Sequence, residues 1–180
     1  QEVGTTSTDD LGRASYANGV FTVHGVGANM DEGGSDGFHS VHAAVVGDVV
    51  VEAHLKGFDA VTDEARAGLV VRAAIDEGSA GWALVVDRRG DVRFKTRSRL
   101  DGSFPITGQA AGVGKDVWLR IVRRGDDATG YYAVDGVTWM SLGTGTIRVT
   151  TDDVFVGLGV TSGDGPAVAT VESVTVAPAP

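Results

Sequence analysis

Cysteine is absent from this sequence and proline is scarce, with four residues in 180. The absence of cysteine excludes a disulfide framework and a thiol nucleophile, although it leaves secretion open. No apolar run approaches the roughly 18 residues that a membrane-spanning helix requires. Apolar residues at helical spacing are almost missing as well, which argues against a mainly helical fold.

Positive charge is in short supply too. The chain has 15 Lys and Arg against 24 Asp and Glu, a net charge of −9 at pH 7. This balance argues against nucleic acid and anionic membranes as partners. No signal peptide is visible at Gln1, so we expect that one was removed or that the chain is an excised domain.

Glycine is abundant, with 27 residues, and accompanies many Val and Thr. This combination is typical of short strands joined by tight turns. Only residues 63–68 have the composition of a helical turn. We therefore predict a single all-β domain over residues 1–176, an antiparallel sandwich or barrel, followed at 177–180 by the start of a Pro/Ala linker. The predicted strands are 20–24, 38–45, 48–56, 67–75, 81–87, 91–97, 117–123, 128–134, 137–142, 153–161 and 167–176.

The segment TGYYAVDGVTWMSLG, residues 129–143, contains an Asp-Gly pair between two β-prone runs. Asp-Gly is a strong signal for a two-residue hairpin turn, so we expect residues 133–134 to pair with 137–138. Adjacent strand residues face opposite sides, so one of Tyr131 and Tyr132 is predicted to enter the core and the other to point outward. Trp139 is expected to pack as a hairpin aromatic.

Alternation within four strands separates a core face from an outward face. The core face is predicted to hold Val51, Ala53, Leu55, Leu69, Val71, Val92, Phe94, Thr96, Leu119 and Ile121. The opposite positions hold charged and aromatic residues that we predict to line one ligand-binding face. Arginine donates a planar fork to hydroxyls or carboxylates, and an aromatic ring stacks on a sugar. The alternative is a solvated face with ordinary ion pairs. The candidate ligand-binding residues are Glu52, His54, Arg72, Lys95, Arg97, Arg120 and Tyr131.

The loop NMDEGGSDGFH, residues 29–39, is acidic and glycine-rich. Hard oxygen ligands on a flexible loop suit Ca²⁺, so Asp31 and Asp36 are candidate metal ligands and Ca²⁺ is the candidate cofactor. The spacing is not that of an EF-hand, and the alternative is a plain glycine-rich turn.

Catalysis has little support in the sequence. The four histidines form no zinc-binding helix motif, and no nucleophile elbow is present. Glycosidases need two carboxylates across the scissile bond, and only Glu52 is expected on the outward face.

Four segments together resemble one bacterial family: GRASYANGVFTVHGVGANMDEGGSDGFHSVHAAVVGD, ARAGLVVRAAIDEGS, VWLRIVRRGDDATGYYAVDGVTW and VFVGLGVTSGDGPAVATVESVTV. This is the concanavalin A-like family described as "regulation of enolase-like", and the resemblance covers about residues 2–176. It implies a concanavalin A-like jelly-roll sandwich of two curved antiparallel sheets, with the ligand face on a concave side. Family members are typically accessory modules of large secreted bacterial proteins, often beside glycoside hydrolases.

The resemblance implies a non-catalytic carbohydrate-binding or accessory module, secreted or at the cell surface. Its expected partners are a polysaccharide or oligosaccharide and neighbouring domains of a larger chain. One alternative is a structural spacer or protein–protein module without a small ligand. The other is a sugar-cleaving enzyme similar to the 3-keto-disaccharide hydrolases, which share a similar fold.

Overall fold

The computed structural model describes residues 1–4, 12–27, 30, 35–148 and 152–180. In these ranges the chain forms fourteen strands and no helix. No helix that could span a bilayer is therefore present in the described ranges. The strands are β1 (Glu2–Val3), β2 (Arg13–Ala17), β3 (Val20–Gly25), β4 (Phe38–Val46), β5 (Val49–Ala60), β6 (Arg66–Arg72), β7 (Gly81–Asp87), β8 (Val92–Arg97), β9 (Ile106–Ala110), β10 (Val117–Arg124), β11 (Asp127–Ala133), β12 (Met140–Thr146), β13 (Asp153–Thr161) and β14 (Ala167–Pro178).

The strands form two seven-stranded sheets. Sheet A has the order β1-β4-β13-β6-β7-β8-β9, and sheet B has the order β12-β11-β10-β5-β14-β3-β2. All neighbouring strands pair antiparallel. The all-β prediction is confirmed, and every strand predicted from the sequence has a counterpart. Strands β1, β2 and β9 were not predicted, because they are short or polar.

The main core lies between the sheets and is built by period-two alternation. On β10, Leu119 and Ile121 are buried, and on β5 the core residues Val51, Ala53 and Leu55 alternate with half-buried or exposed ones. Paired residues on antiparallel neighbours share a face, so Ile121 opposite Val51 continues one apolar surface. The predicted core faces of these strands are confirmed.

Sheet A has a second buried layer on its other side. Every residue of β6 and β7 is buried, which requires cover on both faces of the sheet. The apolar members of this layer come from the sheet and from the segments that cross it. They are Val3, Met30, Phe38, Val70, Ala83, Val85 and Phe104, with Ile75 packed against them.

The segment between β11 and β12 is not the predicted two-residue hairpin. Strand β11 ends at Ala133 and β12 begins at Met140, so the connection is residues 134–139. A register shift lies beside Tyr131, which pairs with Ser141. The prediction for the tyrosines is confirmed: Tyr132 packs against the core and Tyr131 faces outward beside Arg120.

Candidate functional site

A groove of about 590 Å³ opens on the outer face of sheet B, the side away from the core. This volume is within the usual range of small-molecule sites. The groove crosses β5, β10 and β11 and is closed at one end by the connection before β12. Its lining residues are Val50, Glu52, Arg120, Val122, Arg124, Asp127, Thr129, Tyr131, Trp139 and Pro180.

Strand register places the central side chains of this groove. Arg120 on β10 lies directly opposite Glu52 on β5 and opposite Tyr131 on β11. Residues opposite each other on antiparallel strands have side chains on the same face, close enough to interact. The alternation that sends Leu119 and Ile121 into the core therefore brings these three side chains together outside it.

Arg120 is the most constrained side chain of the groove. Its Nε donates a hydrogen bond to Oε2 of Glu52 at 2.8 Å, and its Nη2 lies 2.7 Å from the same oxygen in an ion pair. Its guanidinium carbon lies 3.7 Å from the centre of the Trp139 ring, which is cation–π geometry. The two charged side chains are 29% and 21% exposed. The ion pair and the tryptophan together hold the guanidinium at a fixed place in the groove.

The connection 134–139 carries Trp139 to the groove, and Asp135 organises it. Oδ1 of Asp135 accepts hydrogen bonds from the backbone N–H groups of Val137 and Thr138, at 2.9 and 2.7 Å. Its Oδ2 accepts from the Thr138 hydroxyl at 2.8 Å. The donated N–H groups, first that of Thr138, lower the pKa of Asp135 to about 2. The predicted turn residue thus shapes a longer loop through its side chain.

A second charged network lies beside the groove on the same face. His54 contacts Asp116 through Nε2 at 2.7 Å and Glu172 through Nδ1 at 3.2 Å, and it stacks on Trp118 with ring centres 4.3 Å apart. Lys56 donates to the other oxygen of Asp116 at 3.1 Å. The hydrogen bond from Lys56, followed by the one from His54, lowers the pKa of Asp116. Asp116 is thus held ionised near neutral pH.

The prediction that all seven candidates share one face is wrong. Glu52, His54, Arg120 and Tyr131 lie on sheet B, whereas Arg72, Lys95 and Arg97 lie on β6 and β8 of sheet A. The three sheet A cations are buried, at 3%, 2% and 0% exposure. Alternation places them correctly away from the main core, but the second buried layer covers that face. Burial excludes them from a surface site.

Among the described residues, the contacts of these buried cations are with the Asp36 carboxylate, with carbonyls and with aromatic rings. Asp36 accepts from Arg72, and from Arg97 at 2.6 and 2.8 Å. Lys95 donates to the carbonyl of Met30. Phe38 lies against Arg72, and Phe104 lies against Lys95 and Arg97. Desolvation by burial, the largest influence, lowers the pKa of Arg72.

These contacts also decide the metal assignment at Asp36. Both of its oxygens accept from guanidinium groups, and a site beside two arginines repels a cation. Asp36 is therefore an ion-pair partner of two arginines rather than a metal ligand. Asp31, the other predicted ligand, lies outside the described residues. Within those ranges no group of three His, Asp or Glu is arranged to hold a metal ion.

The outer face of sheet B holds more carboxylates than the sequence indicated. Glu172 on β14 is paired with His54 in the register, which places it on the same side as Glu52. The expectation of a single carboxylate on this face is therefore wrong. Glu52 contacts Arg120, Glu172 contacts His54, and Asp116 contacts both Lys56 and His54.

Sequence reasoning missed most of the remaining groove residues. Trp139 was expected to pack within a hairpin, but it lies half-buried under Arg120. Thr129 pairs with Val122 and Asp127 pairs with Arg124, so both continue the Arg120 face at period two. Extending the alternation of β10 onto its neighbour would have found these two. The position of Trp139 depends on the loop shape, which the Asp-Gly signal misidentified.

No family model matches this sequence, and the search of curated proteins gives no match. The resemblance to the "regulation of enolase-like" family is therefore not confirmed. Solved structures do match. A functionally unknown protein from Saccharomyces cerevisiae has a TM-score of 0.76 at 13% identity, with each chain covered to 100%.

Other matches include a carbohydrate-binding module and a lectin-like domain. The carbohydrate-binding module CBM66 from Bacillus subtilis has a TM-score of 0.58 at 17% identity, covering 97% of this chain and 96% of that one. A legume lectin-like domain from Entamoeba histolytica has a TM-score of 0.59 at 11% identity, covering 94% and 88%. Glycoside hydrolases of family GH43 also match, and this chain spans about a third of their length. The fold is thus a concanavalin A-like jelly-roll sandwich.

Proposed function

We propose that this domain is a non-catalytic carbohydrate-binding module that holds a saccharide in the groove on sheet B. The observation that carries this proposal is the arrangement of Arg120, fixed between Glu52 and Trp139, beside the outward-facing Tyr131. Fixed polar groups next to aromatic rings are what a polyhydroxylated ligand requires, because its rings have apolar faces and polar edges.

Rigidity supports this assignment. The polar residues at the centre of the groove lie on paired strands, and Arg120 is already immobilised by three contacts with two side chains. A preorganised site loses little side-chain entropy when a ligand binds. The fold similarity to CBM66 and to a lectin-like domain is consistent with the same use.

The outer face of sheet B is less suited to catalysis than to binding. A glycosidase needs one carboxyl group with a raised pKa as its general acid. On this face Glu52, Asp116 and Glu172 each contact a cationic side chain or histidine, and the pKa of Asp116 is lowered. The other groove carboxylate, Asp127, accepts a hydrogen bond from the Thr146 hydroxyl. A lowered pKa favours the ionised form of Asp116 and opposes a general-acid role for it. We therefore place this domain with the accessory modules of secreted proteins rather than with the enzymes.

The test is a binding titration of the purified domain with a panel of soluble polysaccharides, by calorimetry or affinity electrophoresis. Tyr131→Ala should weaken binding at least tenfold, because it removes a ring that lines the groove. The matched control is Tyr16→Ala: Tyr16 is 64% exposed on β2, at the other edge of sheet B. It should leave the affinity unchanged.

Two results would contradict the proposal. The first is an absence of binding to every polysaccharide in the panel. The second is release of reducing sugar from any bound polysaccharide, because a non-catalytic module turns nothing over. An equal loss of affinity in Tyr131→Ala and Tyr16→Ala would show that the binding site is not the groove.

A further inference from the structure

The ion pair in the groove leaves hydrogen-bonding capacity unused on both partners. Arg120 donates a hydrogen bond through Nε to Oε2 of Glu52, and its Nη2 forms an ion pair with the same oxygen. In the described part of the chain, neither Nη1 of Arg120 nor Oε1 of Glu52 has a hydrogen-bond partner. A guanidinium carries five N–H donors and a carboxylate oxygen accepts more than one bond. A free donor and a free acceptor therefore remain on one ion pair.

The groove is also balanced in charge. Its lining contains two arginines, Arg120 and Arg124, and two carboxylates, Glu52 and Asp127. Arg120 is neutralised by Glu52, and Arg124 donates to the carbonyl of Pro180 at 3.0 Å. The whole chain carries a net charge of −9. An anionic ligand would therefore find no net positive charge in the groove and would meet repulsion from the molecule as a whole.

An adjacent donor and acceptor fit two neighbouring hydroxyl groups. One hydroxyl accepts from the guanidinium, while the other donates to the carboxylate. A carboxylate ligand has no proton to give Glu52, so it cannot satisfy both groups.

We infer that the groove recognises an uncharged saccharide through a pair of adjacent hydroxyls, one bound by Arg120 and the other by Glu52. This inference rests on the proposed carbohydrate-binding function and narrows it to a ligand class. It assigns Arg120 and Glu52 as the residues that bind the adjacent hydroxyls, and Tyr131 and Trp139 as the apolar walls, while the net charge of −9 disfavours uronic acid polymers.

The first experiment compares probes on the unaltered domain. The neutral probes are arabinoxylan, arabinan and cereal β-glucan, and the anionic probe is alginate. At least one neutral probe should bind, with an affinity that is nearly independent of salt, and alginate should bind at least tenfold more weakly. Each neutral probe that binds is then cleaved between its adjacent hydroxyls with periodate and reduced with borohydride. Its affinity should fall at least tenfold.

The variants separate recognition from folding. Arg120→Lys keeps a positive charge near Glu52 but loses the planar fork, so affinity for the neutral probe should fall at least tenfold. Glu52→Gln keeps an acceptor and removes the negative charge, so alginate binding should rise. The control is Arg93→Lys, because Arg93 forms a comparable ion pair with Asp87 at 2.9 Å on sheet A and is 24% exposed. It should bind like the unaltered domain.

The outcomes distinguish the two claims. If neither alginate nor any neutral probe binds, the proposed function fails and this inference falls with it. If the oxidised neutral probe binds as tightly as the intact one, or if alginate binds as tightly as the neutral probes, the ligand class is overturned while carbohydrate binding stands.

Discussion

Ile121 shows how one side chain contributes to the core. It is fully buried on β10 opposite Val51. We expect Ile121→Ala to lower the free energy of unfolding by about 2–5 kcal/mol, because the truncation removes buried apolar contacts and leaves a cavity. The same substitution at Ile106, which is 40% exposed on β9, should change it far less. Denaturant unfolding of both variants checks this, and equal losses would mean that the core face of β10 is misassigned.

The contribution of Asp135 to the stability of the fold depends on pH. Its pKa is depressed from 3.8 to about 2 in the folded state by donated N–H groups. Because this pKa is lower in the folded state than in the unfolded state, the ionised carboxylate stabilises the fold at pH values above the unfolded pKa. The stabilisation is lost as the pH falls through the folded pKa. Asp135→Ala should therefore be less stable than the unaltered protein at neutral pH, and the gap should close between about pH 4 and pH 2. Thermal unfolding across this range measures the gap, and a constant gap would rule out the carboxylate as its source.

At the scale of elements, Asp36 ties a connecting segment to sheet A. Its carboxylate is buried between Arg72 and Arg97. Asp36→Ala should lower the free energy of unfolding by about 3–5 kcal/mol, because it breaks a buried ion pair with Arg72 and another with Arg97. Asp63→Ala is the control: Asp63 also binds two arginines, Arg88 and Arg89, but at the surface.

Removal of the Asp63 carboxylate should have a much smaller effect, because solvent screens exposed pairs. Urea denaturation of the two variants compares them directly. A small loss at Asp36, similar to that at Asp63, would show that the buried layer on sheet A does not depend on this carboxylate.

The elements also show where sequence reasoning succeeded and where it stopped. Alternation identified the core faces of β5 and β10 because one side of sheet B faces solvent. It could not assign strands to sheets, since pairing of β10 with β5 is a contact over a long sequence separation. The apolar runs of β6 and β7 are typical of strands buried on both faces, but β6 was predicted to be an alternating strand with one buried face. Arg72 and Arg97 nevertheless suggested an exposed face, because the carboxylate that pairs with them, Asp36, lies far away in sequence.

At the scale of the whole molecule, two late strands hold the sheets together. Strand β14 lies between β5 and β3, and β13 lies between β4 and β6. Deletion of residues 167–180 should abolish cooperative unfolding, because it opens sheet B at its middle and exposes the core face of β5. Deletion of residues 179–180 alone should leave the transition in place. Circular dichroism during thermal unfolding distinguishes the two, and a sharp transition in the longer deletion would show that β14 is dispensable.

The central position of β14 also has a consequence for biosynthesis. The ribosome delivers the chain from its N-terminal end, so β3 and β5 leave the exit tunnel long before the strand that joins them. Sheet B therefore cannot close on the nascent chain, and the domain completes its folding only after β14 has been released. Until then the apolar faces of the early strands stay open to chaperones.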